Sequence, residues 1–392
     1  MKKQKLILAY SGGLDTSCCL NWLKNKGFEI ICFSANLGSE FSPKELRAKA
    51  KKSGASKIYV KDLRKEFSQN YILPSLKAGA LYQNKYLLST ALGRPLIAKY
   101  LVDIAKSENA GYVAHGCSAK GNDQIRLELA IKSLAPDLKI IAPLRNWELR
   151  SREEEIDYAK KNNLPIDSTK NKIFSIDKNI WGVSIEAGLL EDLNNRVPEE
   201  AYILTKSVHA APKKPERVEI EFQKGKPVKI NKKTAALTNI IEKLNKIGGR
   251  HSIGRTDLIE DRVVGIKSRE IYEAPAAWIL YKALREIEEL AFGKEMLEFK
   301  KIVSAYYADL AYRGLWFYEL KNSLDAFIDK TSDKLSGKIE LELYKGNIVT
   351  LKRSSRYCLY EKNLATYGKK DLFCRDWAEG FINILGIPFK KR

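Results

Sequence analysis

The chain has 392 residues, of which 69 are basic, 48 are acidic and 44% are hydrophobic, so its net charge is +21. This apolar content excludes an intrinsically disordered chain, and six cysteines at this length exclude a disulfide-dense miniprotein. The length predicts two or three domains. The positive charge attracts the phosphate groups of nucleic acids, lipids or nucleotides, although a lysine-rich surface without such a partner explains it as well.

The sequence gives no sign of a membrane or a metal site. It contains no apolar run near the ~18 residues that a membrane span requires. The apolar stretch that follows the basic start is too short for a signal peptide, so we expect a cytoplasmic protein without a membrane partner. The cysteines form no CxxC pair and the three histidines lie far apart, so these residue types predict no metal site.

Strand patterns alternate with helix patterns in the first part of the chain. Strands are predicted at residues 5–10, 29–35, 57–60, 111–116 and 139–143. Helices are predicted after Ser17, near residues 43–52, from Pro95 onward and after Ser151, which can form a capping box with Glu154. This alternation predicts the α/β class, with a mostly parallel, doubly wound sheet that binds its ligand beyond the carboxyl ends of the strands.

The pattern changes after residue 165. Alternating apolar residues around two turns predict hairpins at residues 218–230 and 339–348, and helices are predicted at residues 280–291 and 320–328. We therefore expect a first domain at residues 1–165, an α+β domain at 166–368 and a C-terminal helix at 369–392. That last helix carries an apolar stripe of Trp377, Phe381, Ile382 and Leu385, which either folds back on its own domain or reaches a neighbouring subunit.

A glycine turn follows the first predicted strand. The segment Ala9-Tyr10-Ser11-Gly12-Gly13-Leu14-Asp15-Thr16-Ser17 leads directly into a predicted helix. Two glycines allow a tight turn whose backbone N–H groups face an anion, and the helix adds the positive end of its dipole. The segment has no lysine, so it is not the GxxxxGK[ST] loop. The alternative is an ordinary strand-to-helix turn that Ser17 caps.

A second polar segment, from His115 to Arg126, follows the fourth predicted strand. If a helix begins near Asn122, then Asn122 and Arg126 project from one face of its first turn. The arginine offers two donors to a carboxylate, and Asp123 can hold an ammonium group. The alternative is that Asn122 or Asp123 caps the helix while Arg126 is solvated.

These segments resemble known sequence motifs. The segment SGGLDTS is similar to the SGGxDS loop of the N-type ATP pyrophosphatases, and residues 115–126 resemble the AHGCTGKGNDQVRFE motif of the argininosuccinate synthase family. Residues 174–177, 181–186, 254–260 and 267–273 resemble that family's YSID, WxxSxEG, GRxDLVENR and KSRGxYE stretches. The likeness runs from Ala9 to Tyr272 and thins beyond it, apart from residues 355–365 and the terminal helix.

The resemblance implies a role for individual residues. It implies ATP contacts from Ala9, Tyr10, Ser11, Gly12, Gly13, Leu14, Asp15, Thr16, Ser17, Ala35 and Gly116. It implies citrulline contacts from Tyr86, Thr90, Asn122, Arg126, Ser175, Ser184, Glu260 and Tyr272, and aspartate contacts from Ser118, Asn122 and Asp123. Asp15 and Arg126 are the implied catalytic residues, and no residue is assigned as a metal ligand.

The resemblance also implies an activity. A family member is an AMP-forming, ATP-dependent C–N ligase, which joins citrulline and aspartate through citrullyl-AMP and releases AMP and pyrophosphate. The expected product is argininosuccinate, in arginine biosynthesis or the urea cycle. ATP and Mg²⁺ are the expected cofactors, and Asp15 either contacts the metal or stabilises the helix start. The expected assembly is a homotetramer without nucleic acid, with residues 166–368 as the synthetase and oligomerisation domain.

Two other functions stay open at this point. A tRNA-modifying ATP pyrophosphatase would account for the positive charge, although no RNA-binding extension or working cysteine pair is evident. A catalytically silent nucleotide-binding subunit is the other alternative, because Ala91 and Ala119 depart from the family pattern, as Ala187 also does. Ala91 stands where the family often has serine, whereas Ala119 and Ala187 stand where it has glycine. An alanine lacks the freedom of glycine to adopt a positive φ.

Overall fold

The computed structural model describes residues 3–39, 42–165 and 174–389. Its first part is built on five strands: β1 Lys5–Ala9, β2 Glu29–Asn36, β3 Lys57–Asp62, β4 Tyr112–Ala114 and β5 Lys139–Ile141. They pair in parallel in the order β3-β2-β1-β4-β5. The central strand β1 is buried on both faces, because Ile7 belongs to one core cluster while Leu6 and Leu8 belong to another. The predicted parallel sheet is confirmed.

Helices cover both faces of this sheet. They are α1 Leu14–Asn25, α2 Pro43–Ser53, α3 Arg64–Phe67, α4 Leu73–Ala78, α5 Ser89–Glu108, α6 Asn122–Leu134, α7 Pro143–Asn146 and α8 Arg152–Lys161. A π-helical turn at Ser68–Ile72 joins α3 to α4. The capping box of α8 is confirmed, since Ser151 accepts from the backbone of Glu154 and the Glu154 side chain accepts from the backbone of Ser151.

Helix α5 begins earlier than predicted. The sequence places Pro95 at the first helical position, whereas the helix starts at Ser89 and contains Pro95. The Tyr86 hydroxyl accepts from the backbone N–H groups of Thr90 and Ala91, at 3.0 and 3.3 Å. Two first-turn donors that have no partner inside the helix are thereby satisfied, which lets the helix begin one and a half turns before its proline.

Nine further strands follow in the part of the chain that the structure describes. They are β6 Ser175–Asn179, β7 Gly182–Glu186, β8 Glu216–Gln223, β9 Lys226–Ile230, β10 Lys233–Thr234, β11 Arg255–Asp261, β12 Lys267–Glu273, β13 Gly337–Tyr344 and β14 Asn347–Ser355. Both predicted hairpins are confirmed, and they share one antiparallel sheet of order β10-β9-β8-β13-β14. The second antiparallel sheet, of order β11-β12-β7-β6, was not predicted as a sheet.

The second part also contains helices α9 Leu237–Arg250, α10 Pro275–Ala291, α11 Lys294–Tyr312, α12 Glu319–Ser332, α13 Lys362–Ala365 and α14 Asp376–Leu385. The two predicted helices are confirmed as α10 and α12. One continuous core cluster contains Leu92 of α5, Trp181, Leu280 of α10 and Leu341 of β13. This shared core fixes the second part against the parallel sheet.

Helix α14 exposes its apolar stripe. Trp377, Phe381, Ile382 and Leu385 are 73%, 66%, 65% and 59% exposed. Within the described chain, the stripe therefore does not fold back onto its own domain. Across the three described ranges, no helix combines the length and the apolar character that crossing a membrane demands.

Candidate active site

The glycine turn lies between β1 and α1. Gly12 adopts a φ of 79°, a backbone conformation that favours glycine, and a Cβ there would displace the end of the Leu46 side chain, which lies 2.5 Å away. Gly13 precedes the first turn of α1 and, among the described residues, no side chain caps that end. The free N–H groups of the helix start therefore face the turn, where they can bind an anion.

Hydroxyl groups surround the turn. The Ser11 Oγ atom accepts from the Gly13 N–H at 3.3 Å and lies 3.1 Å from Thr16 Oγ1. Ser17 is buried inside α1, with its Oγ 3.3 Å from the hydroxyl of Tyr10. Ser17 is thus not the helix cap, which removes the alternative of an ordinary capped turn.

The loop after β4 contacts this turn. A Cβ on Gly116 would lie 3.1 Å from Thr16 Cγ2, so the two loops touch. They follow β1 and β4, which are adjacent in the sheet. From this pair the strand order continues to β2 in one direction and to β5 in the other. A doubly wound sheet opens its ligand crevice at such a point. Ala35 lies near the carboxyl end of β2, the other neighbour of β1, at the same edge.

Two carboxyl groups meet at the base of α1. Asp15 lies in the first turn, and its carboxyl group is close enough to Glu155 of α8 to perturb the ionisation of that residue. Burial, and then the negative charge of Asp15, raise the pKa of Glu155 to about 8. The Glu155 Oε2 atom is buried without a hydrogen-bond partner in the described part of the chain. Paired carboxylate oxygens beside a phosphate-binding turn suit Mg²⁺, which commonly takes one or two carboxylates together with phosphate oxygens.

Two arginines converge on Asp123. Arg94 Nη2 donates to Asp123 Oδ2 at 2.6 Å, and Arg126 Nη1 donates to Asp123 Oδ1 at 3.1 Å. Burial opposes the ionisation of Asp123, but the two guanidinium groups outweigh it and lower its pKa to about 2. Arg94 also donates to Asp177 of β6, so it links α5, α6 and the four-stranded sheet.

Arg126 has an unused donor. Its Nε donates to the Tyr312 carbonyl at 2.7 Å, and its Cζ lies 4.7 Å from the centre of the Tyr312 ring. The side chain is buried, yet Nη2 has no hydrogen-bond partner among the described residues. Leaving a buried guanidinium donor unpaired is costly, so its position indicates a missing anionic acceptor.

Glu260 lies inside a cluster of hydroxyl groups. Tyr312 donates to its Oε1 at 2.5 Å, and Tyr272 donates to its Oε2. Asn122 Nδ2 donates to the Tyr312 hydroxyl at 2.8 Å. Burial raises the pKa of Glu260, while the two tyrosine hydroxyls act in the opposite direction.

The other side chains with implied citrulline contacts line the same region. The Tyr86 ring stacks on Tyr272 with centroids 4.0 Å apart. Thr90 Oγ1 lies 2.9 Å from Ser184 Oγ, and Ser184 faces Tyr272 across β7 and β12. Ser175 lies at the start of β6 and pairs with Glu186. This pair is farther from the turn of the hairpin than the Asp177–Ser184 pair. Ser118 is exposed in the loop before α6, and its carbonyl accepts from Gly121.

The three departures from the family pattern behave differently. Ala91 is fully buried in the first turn of α5. Ala119 does not adopt a positive φ, so its loop forms without the freedom of glycine. Ala187 does adopt one, with φ 72° and ψ 178°. Its backbone is therefore strained directly after β7.

Sequence reasoning missed two residues of the site, Arg94 and Tyr312. Arg94 lies four residues after Thr90 on the same helix, so helical spacing could have placed it on the same face. Tyr312 ends α11, a helix that was not predicted, and no local pattern connects it with Arg126 or Glu260.

Comparison with known proteins agrees with these motifs. The family model described as the arginosuccinate synthase N-terminal HUP domain matches residues 5–165, and the model described as the arginosuccinate synthase C-terminal domain matches residues 174–392. The chain belongs to the argininosuccinate synthase family. The argininosuccinate synthase of Carboxydothermus hydrogenoformans is 50% identical over 99% of this chain and 97% of its own length. That of Chlorobium chlorochromatii is 51% identical over 100% of this chain and 98% of its own.

Membership of the argininosuccinate synthase family makes the chain an enzyme, an ATP-dependent ligase. The tRNA-modifying and catalytically silent alternatives are not favoured, because the likeness to argininosuccinate synthases covers the whole chain.

Proposed function

We propose that the chain joins citrulline to aspartate at the expense of ATP, with the three substrates bound along the crevice between the glycine turn and the Glu260 cluster. Argininosuccinate synthesis, a step of arginine biosynthesis, follows from the family to which the chain belongs. One observation supports the placement of citrulline most directly. The Nη2 atom of Arg126 is buried and has no hydrogen-bond partner among the described residues.

Citrulline is an α-amino acid whose side chain ends in a ureido group. Its carboxylate would accept from the unpaired Nη2 of Arg126 in a charge-assisted hydrogen bond. Its ammonium would pair with the ionised form of Glu260, and the ureido end would extend toward the ATP turn. Thr90, Ser175 and Ser184 supply hydroxyls along the way, and Tyr86, Asn122 and Tyr272 complete the contacts.

ATP would bind with its pyrophosphate end against residues 9–17. The N–H groups at the start of α1 and the hydroxyls of Ser11 and Thr16 would stabilise the negative charge there, while Ser17 lies buried beneath the turn. Ala35 and Gly116 would flank the adenylate end, because each follows a strand adjacent to β1. Asp15, at the base of the turn, would hold a Mg²⁺ ion that neutralises phosphate charge when bound.

The chemistry requires two displacements. The ureido carbon is a poor electrophile, since two nitrogens donate electron density and the oxygen leaves poorly. The ureido oxygen attacks the α-phosphorus of ATP and pyrophosphate leaves, which converts that oxygen into part of an adenylate. The α-amine of aspartate then attacks the ureido carbon, AMP leaves, and the new C–N bond gives argininosuccinate.

Aspartate would bind at Ser118, Asn122 and Asp123. Asp123 is ionised because two arginines lower its pKa, so it can hold the substrate ammonium. No side chain of the described site stands out as a general base. The amine therefore enters neutral or gives its proton to the phosphate of AMP. Placement and charge stabilisation are then the main contributions of the protein.

The proposed assembly is a homotetramer in the cytoplasm, without nucleic acid. The exposed apolar stripe of α14 supports an assembly in which this helix packs on another subunit. Light scattering of the full chain, compared with a chain that ends before residue 369, measures the number of subunits. A monomeric full chain would contradict this assembly.

Pyrophosphate release tests the function. Purified protein is mixed with ATP, Mg²⁺, citrulline and aspartate, and each substrate is omitted in turn. We expect release to require citrulline and not to respond to tRNA. Arg126→Ala should raise the KM for citrulline at least tenfold, while Arg250→Ala, which removes an exposed arginine paired with Glu216, serves as the control. Citrulline-independent release, or unchanged citrulline kinetics in Arg126→Ala, would contradict the proposal.

A further inference from the structure

Tyr312 lies where several citrulline-site residues meet. It ends α11 and is 1% exposed. Its hydroxyl donates to Glu260 Oε1 at 2.5 Å and accepts from Asn122 Nδ2 at 2.8 Å. One phenol oxygen thus orients an acidic side chain and an amide that come from different elements, β11 and α6.

The rest of Tyr312 holds Arg126. The Tyr312 carbonyl accepts from Arg126 Nε at 2.7 Å, and the guanidinium lies over the Tyr312 ring. The Tyr82 ring stacks on the Tyr312 ring, with the two centroids 3.6 Å apart and an angle of 5° between the planes. The bond to Nε and the ring contact fix the guanidinium while leaving Nη2 unpaired in the described structure.

A tyrosine on the same helix shows what an ordinary buried tyrosine does. Tyr307 is 0% exposed, and its hydroxyl donates to Asp325 at 2.9 Å. Asp325 is in turn paired with Lys321 on α12. These bonds join two helices and contact none of the residues with implied substrate roles. Tyr307 and Tyr312 therefore differ in what they position, although both are buried and hydrogen-bonded.

We propose that Tyr312 is a positioning residue for citrulline, which holds Glu260 and Arg126 in place so that they bind the ammonium and carboxylate groups of one amino acid. This inference rests on the proposed function. Nothing in the chemistry requires Tyr312 to touch the reacting atoms. Its effect should therefore appear mainly in the binding of citrulline and not in the chemical step.

The hydroxyl also affects the charge of Glu260. A hydrogen bond donated to a carboxylate favours its ionised form, so loss of the Tyr312 hydroxyl raises the pKa of Glu260. Glu260 would then lose its charge at a higher pH, and with it the partner of the citrulline ammonium. The other groups that act on Glu260 are Asn122, which donates to its Oε1 at 3.3 Å, and Tyr272, Arg126, Arg262, Glu270, Tyr82 and Tyr86. Phenylalanine at position 312 keeps the carbonyl and the ring that contact Arg126.

The test compares Tyr312→Phe with Tyr307→Phe in the full-length enzyme. Each substitution removes one buried hydroxyl from α11, so a loss of stability alone affects both. We expect Tyr312→Phe to raise the KM for citrulline about tenfold, the size expected for one hydrogen bond to a charged group. The kcat and the KM for ATP should change less than about threefold. Tyr307→Phe should leave the KM for citrulline unchanged.

The pH profile gives a second readout. In Tyr312→Phe, the acidic limb of kcat/KM for citrulline should move to higher pH by up to about one unit, whereas Tyr307→Phe should keep the wild-type limb. If Tyr312→Phe does not fold, Tyr82→Leu removes the stacked ring and should raise the KM for citrulline in the same direction. Identical citrulline kinetics in Tyr312→Phe and Tyr307→Phe would overturn the inference. If Tyr312→Phe does not fold, unchanged citrulline kinetics in Tyr82→Leu would overturn it. Wild-type enzyme that releases pyrophosphate without citrulline would instead overturn the proposed function, and the inference with it.

Discussion

Gly116 packs directly against Thr16, so the loop after β4 touches the glycine turn after β1. The two segments are a hundred residues apart in the chain, and the parallel order of the sheet brings them together. Asn122 and Arg126 follow Gly116 in the first turns of α6. A nucleotide at the turn and a substrate at α6 would therefore occupy one crevice, which the proposed transfer of AMP requires.

Replacement of Gly116 by alanine should weaken the binding of ATP. The new Cβ would lie 3.1 Å from Thr16 Cγ2 and 3.5 Å from Cys19 Sγ, so Thr16 must move by a few tenths of an ångström. Because Thr16 belongs to the phosphate-binding turn, we expect the KM for ATP to rise about three- to tenfold.

Two further variants separate this local effect from a general one. Gly111→Ala lies at the other end of β4, where the described structure has no atom within 4 Å of a new Cβ apart from its chain neighbours, and it should leave the KM for ATP unchanged. Thr16→Ser removes the methyl group and keeps the hydroxyl, so it should restore ATP binding when combined with Gly116→Ala. No restoration would show that contact with Thr16 is not the cause.

Arg94 should be required for the binding of aspartate. It pairs with both Asp123 and Asp177. In Arg94→Gln, Arg126 is the guanidinium group that still pairs with Asp123 in the described structure. We expect the KM for aspartate to rise about tenfold, because the carboxylate that holds the substrate ammonium loses its orientation. Steady-state kinetics with aspartate as the varied substrate measures the effect.

Arg94→Lys provides the matched comparison. Both bonds of Arg94 come from one atom, Nη2, so a single ammonium group can replace part of them. The lysine variant should bind aspartate better than the glutamine variant. Equal aspartate kinetics in wild type and Arg94→Gln would rule out this role.

The parallel sheet was predictable because its central strands β1 and β2 are buried on both faces. Leu6, Ile7 and Leu8 form an unbroken apolar run with 0% exposure, as expected for a strand between two helical layers. The glycine turn was equally visible, since its residues are adjacent in the chain. Local sequence therefore defined the nucleotide half of the site.

The substrate half was less predictable, because its residues meet only through packing. Strand β12 reads Lys267–Glu273 with charged residues on both faces, so it lacks the alternation typical of a half-buried strand. Its buried positions include the acidic residues Glu270 and Glu273, which a search for apolar core positions does not find. Tyr312 comes from a helix 186 residues beyond Arg126, a relationship that spacing within the chain does not show.

Stability should depend on pH through Glu186. Arg262 donates to both Glu186 and Glu270, and burial followed by repulsion from Glu270 raises the pKa of Glu186 to about 7. The folded state thus holds this proton more tightly than the unfolded state does. The contribution of Glu186 to the free energy of unfolding is largest below the ordinary pKa of a glutamate. That contribution decreases as the pH rises through about 7.

Glu186→Gln should remove that part of the pH dependence. Denaturant unfolding at several values between pH 5 and pH 8 should give a smaller decrease in stability for the variant than for wild type. Glu199→Gln is the control, because the hydrogen bond from Arg255 lowers the pKa of Glu199 and its loss cannot flatten the profile in this way. A Glu186→Gln protein that keeps the wild-type slope would contradict the assignment.

Ala187 should destabilise the fold relative to glycine. Its φ of 72° and ψ of 178° lie in a region that essentially only glycine adopts, at a cost of about 1–3 kcal/mol for another residue. Glycine loses about 0.5–1 kcal/mol more backbone entropy on folding, so the net gain for Ala187→Gly should be about 1 kcal/mol.

Ala119→Gly is the matched control, since Ala119 also replaces a family glycine but does not adopt a positive φ. It should gain no relief from strain and lose about 0.5–1 kcal/mol. Thermal unfolding should therefore rank the melting temperatures as Ala187→Gly, wild type and Ala119→Gly in descending order, and the reverse order would show that the backbone at Ala187 is not strained.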